Sequence, residues 1–393
     1  MLSRRRALAG VFVFISALWF YQHYCQREDV RNRQFEWFHD LQREDSFLND
    51  TLGFEKIFVI NLPSRRDRRD AMGSAGELRF VSLSFSHFLR SWAALEFDTS
   101  LSKKGNDGAK GSWLSHLSVL ERVVNEGLGS ALVLEDDIDW DVRLKAQMRV
   151  FAAAARLWQS ETAERGKLDN LGEEGVRRQD IPLSPAHLRS SHPDNMYGEN
   201  WDVLWLGHCG AYLPSSPSPS NPIITIPFDP TVPAKKHLKP HPFALHDQLA
   251  DEYPAHTRVV HAAEGNICSL AYAVSAQGAR KLVKRFREEG YRQQWDLMLR
   301  DVCMGKEESE EDRGGAESDE DLVCLTIQPP LFSHRYGGDT GSDIRGQGGG
   351  FARGKMGSPY IRMSVHGNLE RLKNGLKLSG SIDMLPDDGE TLW

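Results

Sequence analysis

The chain has 393 residues, 40% of them hydrophobic, which is enough for one large domain or two of ordinary size. It carries 48 basic and 55 acidic residues, and its net charge is −7. The basic residues are spread along the chain rather than gathered into one block. This charge pattern argues against nucleic acid as a partner.

The first 25 residues have the pattern of a membrane anchor. Arginines at 4–6 precede an apolar run over 7–24, whose far end carries bulky aromatic residues unlike a signal-peptidase cleavage site. We therefore predict a cytosolic tail and signal-anchor helix in 1–25; a cleaved signal and a secreted protein are the alternative. The arginines predict a single-pass type II topology, with the remaining chain in the lumen of the endoplasmic reticulum or Golgi.

A polar and aromatic stretch over 26–53 is interpreted as a stem between the membrane and a folded domain. Within it, Asn49 and Thr51 belong to an N-glycosylation sequon, which agrees with a lumenal position. The five cysteines show no Cys-x-x-Cys pair and no zinc-like spacing. In an oxidising lumen up to two disulfides are expected, with Cys25 as the odd cysteine and the pairing of the others left open.

The folded domain is predicted over 54–345. Short apolar runs predict buried strands, and apolar residues recurring every three or four positions predict helices. The predicted strands are 56–63, 131–134, 201–207 and 268–274, and the predicted helices are 111–126, 142–158 and 275–286, the last with Ser275 as its N-cap. Strands that alternate with helices indicate an α/β fold.

Three other segments are predicted to lack regular structure. A stretch rich in Pro and Ser over 213–243 is interpreted as a surface loop, and an acidic stretch over 306–321 as a disordered insertion. The end of the chain, 346–393, is interpreted as a flexible Gly-rich tail.

Carboxylates crowd together directly after the predicted strand 131–134. They are Glu135, Asp136, Asp137, Asp139 and Asp141. Ligands of open α/β sheets gather at the carboxyl ends of strands, and Mn²⁺ or Mg²⁺ prefers oxygen ligands. The cluster therefore predicts a divalent-metal site, in which Asp137 and Asp139 have Asp-x-Asp spacing. A solvated acidic turn is the alternative.

Five motifs, in this order, resemble those of glycosyltransferase family 25, which includes lipooligosaccharide and procollagen galactosyltransferases. They are FVINLPSRRDRR at 58–69, GSWLSH at 111–116, ALVLEDD at 131–137, WDVLWLG at 201–207 and AYAVSAQGARK at 271–281. Segments 208–210 and 328–334 are most similar to those of fungal members.

The resemblance implies a GT-A type fold, in which a Rossmann-like mixed sheet with flanking helices forms a single catalytic domain. It also implies transfer of a hexose with inversion, galactose from UDP-galactose, assisted by Mn²⁺ or Mg²⁺. The implied acceptor is a glycan or glycoprotein.

The resemblance also implies which residues bind the donor and the metal. The implied donor-binding residues are Asn61, Arg65, Arg68, His116, Glu135 and Asp136. For the metal, family matching favours Glu135, Asp136 and Asp137, whereas the Asp-x-Asp spacing favours Asp137 and Asp139. His334 is expected as a third metal ligand. For the arginines and His116, the alternatives are solvated side chains and a core histidine.

An inverting transfer needs a base that removes the proton of the acceptor hydroxyl. Asp296 resembles the family's aspartate after the Gly-Ala-Lys helix and is the predicted base, with Asp301 and Glu264 as competitors. A helix-capping role is the alternative for Asp296.

The segment 73–110 departs from the family, because its apolar and basic run over 78–97 lacks an expected Asp-Gly turn. Since this segment borders the donor in the family, a catalytically impaired member acting as a sugar-binding or scaffold protein is a second hypothesis. A hydrolase that uses Asp136 and Asp137 is a third, and it is disfavoured because glycosidase carboxylates face each other across the bond they cleave.

Overall fold

A computed structural model describes residues 49–62, 64–78, 84–86, 107–169, 180–189, 195–214, 221–245, 247–305, 322–337, 354, 356–375 and 380–393. The predicted anchor, most of the stem, the acidic insertion and most of the divergent segment 73–110 lie outside these residues. Within the described residues, no helix combines the length and apolar character needed to cross a membrane.

Strands and helices alternate through most of the described chain. The strands are β1 Lys56–Ile60, β2 Ser84–Ser86, β3 Ser130–Glu135, β4 Ile138–Trp140, β5 Asp180–Pro182, β6 Val203–Gly207, β7 Ile223–Ile226, β8 Arg258–Ala262, β9 Ala271–Ser275, β10 Cys324–Gln328, β11 Phe332–His334, β12 Tyr336–Gly337 and β13 Met356–Gly357. The helices are α1 Arg66–Leu78, α2 Asp107–Asn125, α3 Leu144–Asp169, α4 Pro185–Arg189, α5 Gln248–Glu252, α6 Ala276–Glu289, α7 Trp295–Cys303 and α8 Leu369–Lys373, with a 3-10 turn at Lys235–His237.

One large mixed sheet organises the fold, in the order β2-β1-β3-β9-β6-β10-β8-β7-β5. Strand β1 runs parallel to β2 and β3, whereas β9 runs antiparallel to both β3 and β6. Strand β11 pairs with β4 and meets the end of β6. A mixed sheet with flanking helices confirms the predicted α/β class.

The central strands are buried because helices cover both faces of the sheet. On one face, α2, α6 and α7 pack over alternate side chains of β3 and β9, such as Val133 and Tyr272. On the other face, α3 covers the side chains in between, such as Leu132 and Ala273. Ser275 accepts a hydrogen bond from the backbone N–H of Gly278 at the start of α6, which confirms the predicted N-cap.

Two expectations about irregular segments are wrong. The stretch 213–243 contains β7, whose residues are largely buried, because a parallel pairing with β5 and an antiparallel pairing with β8 place it inside the sheet. The C-terminal residues 356–375 and 380–393 are folded onto the domain, since Tyr360, Val365 and Asn368 are buried there. The folded domain therefore extends beyond residue 345.

Two disulfides lie within the described residues. Cys209 is bonded to Cys268, and Cys303 is bonded to Cys324. The first joins the residues after β6 to the turn before β9, and the second joins α7 to β10. Cys25 lies outside the described residues.

Candidate functional site

The sheet register brings the ends of β1 and β3 together. Ile60 pairs with Glu135, the last residue of β3, so the residues that follow the two strands emerge side by side. The Asn61 side chain donates to Asp136 Oδ2 at 2.7 Å. The parallel pairing of two buried strands thus places the first donor-binding candidate against the acidic cluster.

Arg68 on α1 bridges two carboxylates of this cluster. Its Nη1 lies 2.8 Å from Asp136 Oδ1 and 3.1 Å from Asp137 Oδ2. Burial, and then the charge of Asp137, raises the pKa of Asp136, while Arg68 and Asn61 act in the opposite sense. Burial lowers the pKa of Arg68, but the charges of Asp137 and Asp136 outweigh it and the net shift is upward. The guanidinium supplies much of the counter-charge that the crowded carboxylates require.

His334 lies near the carboxylate oxygen of Asp137 that Arg68 does not contact. The antiparallel pairing of β11 with β4 places His334 across from Ile138, and the Arg335 N–H donates to the Asp137 carbonyl. The distance from His334 Nδ1 to Asp137 Oδ1 is 3.7 Å. Asp137 Oδ1 is buried and has no hydrogen-bond partner among the described residues. A carboxylate oxygen of Asp137 and an imidazole nitrogen of His334 therefore lie close together beside the acidic cluster.

Glu135 lies on a buried polar network beside the metal candidates. Its Oε1 accepts a hydrogen bond from Ser269 Oγ at 3.0 Å and lies 3.8 Å from His116 Nε2. Burial, and then the charge of Asp137, raises the pKa of Glu135 to about 8. Glu135 therefore holds a proton over part of the neutral range, unless a cation binds nearby.

His116 is a core histidine on the inner face of α2. It is 1% exposed, its Nδ1 lies 3.0 Å from the Tyr272 hydroxyl, and its ring stacks on Trp295 with centroids 4.9 Å apart. Burial lowers the pKa of His116 to about 3, so the ring is neutral at physiological pH. His116 is thus a neutral, buried side chain that packs beside Glu135.

Asp296 lies in the first turn of α7 and reaches the same region. Its Oδ2 accepts a hydrogen bond from the Cys268 N–H at 2.8 Å, and its charge contributes to the raised pKa of Glu135. Of its competitors, Asp301 is bound by Arg300 and Gln293 on the helix surface. Glu264 lies on the turn before Cys268, where its carbonyl accepts the Tyr212 N–H.

Asp139 is held by hydrogen bonds within the fold, which argues against its interpretation as a metal ligand of an Asp-x-Asp pair. Its side chain is 1% exposed and accepts hydrogen bonds from the backbone N–H groups of Trp140 and His366. The hydroxyls of Ser358 and Ser364 donate to its second oxygen. Because both oxygens are engaged by the folded C-terminal segment, Asp139 is not available as a metal ligand.

Two other predicted residues lie at the margin. Arg65 forms an ion pair with Asp67 at 2.9 Å, and Asn61 Nδ2 contacts the Arg65 carbonyl rather than its guanidinium. Asn49 is exposed, and its side-chain oxygen accepts the Gly53 N–H at 2.7 Å.

The described residues also bring Cys209, Cys268 and His334 together, with their potential ligand atoms within 4.8 Å of one another. The two cysteines form a disulfide, so they offer no thiolate to a metal. The grouping instead shows that the Cys209–Cys268 disulfide borders His334.

The oxygen and nitrogen atoms at this edge of the sheet fit a divalent cation. Two ligands of one octahedral ion with bonds of about 2.1 Å lie about 3–4 Å apart, and the separation of Asp137 Oδ1 from His334 Nδ1 falls in that range. Asp137 also offers the orphaned buried oxygen that a cation would satisfy. Asp137 and His334 are therefore the candidate metal ligands.

Sequence patterns missed three residues that shape this site. Ser269 and Cys268 hold Glu135 and Asp296, and Trp295 packs under His116. Cys268 and Ser269 lie three and two residues before the motif that begins at Ala271, and this proximity was the one signal that could have identified them.

A comparison with known protein families finds a match in the part of the chain that carries the acidic cluster. Residues 54–180 match the family described as glycosyltransferase family 25 (LPS biosynthesis protein). The match contains Asn61, Arg68, His116 and the acidic cluster, whereas Asp296 and His334 lie beyond it.

Several curated proteins are similar over a comparable length. Procollagen galactosyltransferase 2 of Mus musculus is 32% identical over 114 residues, which cover 25% of this chain and 18% of that protein. Inactive glycosyltransferase 25 family member 3 of Homo sapiens is 32% identical over 111 residues, covering 25% and 19%. Procollagen galactosyltransferase 1 of Danio rerio is 29% identical over 118 residues, also covering 25% and 19%.

The similarity thus spans about a fifth of the length of these relatives. The family match at 54–180 contains β1 and β3, the two strands that carry the carboxylate cluster. Over residues 54–180, the chain is thus similar to glycosyltransferase family 25.

Proposed function

We propose that this protein is a glycosyltransferase that transfers a hexose, galactose from UDP-galactose, with inversion to a glycan or glycoprotein acceptor. The proposal rests on one observation above all: Oδ1 of Asp137, which is buried and has no hydrogen-bond partner among the described residues, lies 3.7 Å from Nδ1 of His334. Asp137 lies within the segment that the family match covers. The relatives named as procollagen galactosyltransferases support the sugar and the class of acceptor.

Asp137 and His334 would hold Mn²⁺ or Mg²⁺. Such an ion supplies positive charge that stabilises the diphosphate leaving group. Arg68 holds Asp136 and Asp137 in place, which fixes the direction in which Asp137 Oδ1 points. Asn61 fixes Asp136 from the other strand and carries a buried amide oxygen that has no partner among the described residues. That oxygen is available to a donor group.

Asp296 is the proposed base for the acceptor hydroxyl. The Cys268 N–H holds one carboxylate oxygen, which leaves Oδ1 as the atom that accepts the proton. The charges of Asp137 and Asp296 both raise the pKa of Glu135, and the Ser269 hydroxyl holds its carboxylate by a hydrogen bond. Glu135 is therefore proposed to orient the donor rather than to take the acceptor proton.

We also propose a lumenal, type II membrane position in the endoplasmic reticulum or Golgi. Two disulfides in the described residues support an oxidising compartment, because structural disulfides are rare in the cytosol. The exposed sequon residue Asn49 agrees with this position. Expression with the first 25 residues fused to a reporter tests the anchor: a glycosylated, membrane-bound product is expected, and a secreted product would contradict it.

A catalytically impaired member is the second candidate function. It is favoured by the ion pair of Arg68 with Asp137, which provides a built-in cation at one of the proposed ligand residues. A relative named as inactive is as similar as the galactosyltransferases.

A donor screen separates the two candidates. The purified protein is incubated with UDP-galactose, UDP-glucose and UDP-N-acetylglucosamine in the presence of Mn²⁺, and UDP release is measured with and without EDTA. EDTA-sensitive release with UDP-galactose is expected. A folded protein that binds Mn²⁺ but releases no UDP from any donor would establish the impaired alternative.

A further inference from the structure

Tyr212 is an exposed aromatic residue beside the candidate site. Its side chain is 60% exposed, and its backbone N–H donates to the Glu264 carbonyl at 2.8 Å. The ring lies directly against Gly265, where an added methyl group would overlap its atoms. Gly265 has a φ of +65°, which glycine adopts without strain. The glycine therefore lets the ring rest on the backbone while most of its surface stays open to solvent.

The turn beneath Tyr212 is firmly anchored. Ile267 pairs with Gly210 in an antiparallel bridge, with the Ile267 N–H donating to the Gly210 carbonyl at 3.1 Å. The buried Asn266 side chain donates to Thr326 Oγ1 at 2.8 Å, and Cys268 is disulfide-bonded to Cys209. Ile267 is itself 38% exposed. We call the exposed surface of Tyr212 and Ile267 the platform.

The platform and the reacting groups share this turn. Cys268 donates to Asp296, and Ser269 donates to Glu135. The Cys268 sulfur lies within 4.8 Å of a ring nitrogen of His334. Since consecutive Cα atoms are about 3.8 Å apart, the four steps from Gly265 to Ser269 span about 15 Å at most. The platform is thus part of the same short turn that holds Asp296 and Glu135.

We propose that Tyr212 and Ile267 form a subsite for a pyranose ring of the acceptor, which rests on the transferase function proposed above. The C–H face of a pyranose is apolar and packs on an aromatic ring, while its hydroxyl groups remain at the edge. The neighbouring residue Glu264 is partly exposed. A rigid aromatic surface loses little conformational entropy when a ligand binds. The acceptor class that fits is a glycan that presents a pyranose next to the reacting hydroxyl.

The test compares Tyr212→Ala with Tyr212→Phe, which keeps the ring, and with Phe243→Ala, which removes an exposed aromatic side chain from another loop. UDP release from UDP-galactose is measured without acceptor and with methyl β-hexopyranosides. For Tyr212→Ala we expect acceptor KM to rise roughly five- to tenfold, with donor KM and acceptor-independent hydrolysis unchanged. The two other variants should behave like the wild type. Thermal unfolding verifies that all variants are folded.

Each outcome decides a separate question. An unchanged acceptor KM in Tyr212→Ala would overturn the subsite, and a raised donor KM would assign Tyr212 to the nucleotide instead. If the wild type releases no UDP, the transferase function fails, and saturation-transfer NMR with methyl β-galactopyranoside then tests the platform alone. Signal lost in Tyr212→Ala and kept in Tyr212→Phe supports the platform; equal signal in both, or none with the wild type, refutes it.

Discussion

Asp137 Oδ1 and His334 Nδ1 lie 3.7 Å apart, a distance too long for a hydrogen bond and suited to two ligands of one cation. The two residues are 197 positions apart in the sequence, and the pairing of β11 with β4 brings them together. The proposed metal site therefore depends on the antiparallel pairing of β11 with β4 as well as on the acidic cluster.

Asp137→Asn and His334→Gln are expected to weaken Mn²⁺ binding while the fold is kept. Asparagine preserves volume but removes the charge, so a loss on the order of 100-fold is expected for Asp137→Asn, and a smaller loss for His334→Gln. Titration of Mn²⁺ followed by electron paramagnetic resonance measures both without any need for turnover. Asp388→Asn, an exposed change, serves as the control. Mn²⁺ affinity unchanged in both variants would remove the metal assignment.

Arg68→Met is expected to shift the pH dependence of Mn²⁺ binding upward. Arg68 lowers the pKa of Asp136, so its loss moves this pKa further above the ordinary value. While Asp136 is protonated, it contributes no negative charge beside the candidate ligand Asp137, so the site attracts a cation less strongly until a higher pH is reached. Mn²⁺ affinity of wild type and variant, measured between pH 5 and 8, should therefore differ most at the acidic end. Arg69→Met, on the same helix, is the matched control. Parallel curves would show that Arg68 does not set the charge of the cluster.

Asp139→Ala is expected to destabilise the protein without changing its affinity for Mn²⁺. The substitution leaves Ser358, Ser364 and two backbone N–H groups without their acceptor in a buried environment. Unsatisfied buried donors cost about 1–3 kcal/mol each before relaxation, so a loss of about 3 kcal/mol in the free energy of unfolding is expected. Urea unfolding gives the stability, and the Mn²⁺ titration gives the affinity. A weaker Mn²⁺ affinity in a fully stable variant would restore Asp139 as a ligand.

Local patterns were sufficient to predict the elements that carry the cluster. The apolar run at 131–134 became β3, Ser130–Glu135, and Ser275 became the N-cap of α6, because both depend on neighbours in the sequence. Asn61 and Asp136 lie close together because β1 and β3 are parallel and end at the same edge of the sheet, a pairing that the structure shows.

Long-range contacts explain what the sequence could not predict. The partners of Asp139 lie 219 and 225 residues away, so its spacing from Asp137 suggested a ligand although its hydrogen bonds make it structural. Abundant glycine suggested a flexible tail, yet Tyr360 and Val365 are buried. The glycine content is an average over the whole C-terminal segment, whereas its folding depends on the few apolar residues that pack against the core.

His116 gives the protein a stability that should fall as the pH is lowered. Burial holds the pKa of native His116 at about 3, against 6.5 for an ordinary histidine. Between these values the unfolded chain binds a proton that the native state does not, so acidification favours unfolding. One such proton changes the free energy of unfolding by about 1.4 kcal/mol per pH unit.

His116→Gln cannot bind this proton, while its amide retains the ability to contact Tyr272. The stability of the variant, measured by urea unfolding between pH 6 and 4, should therefore decline less steeply than that of the wild type. His208, whose pKa burial lowers to about 4, contributes equally to both proteins and cancels in the difference. Equal slopes would mean that native His116 accepts a proton, and that it is an imidazolium beside Glu135 rather than a neutral support.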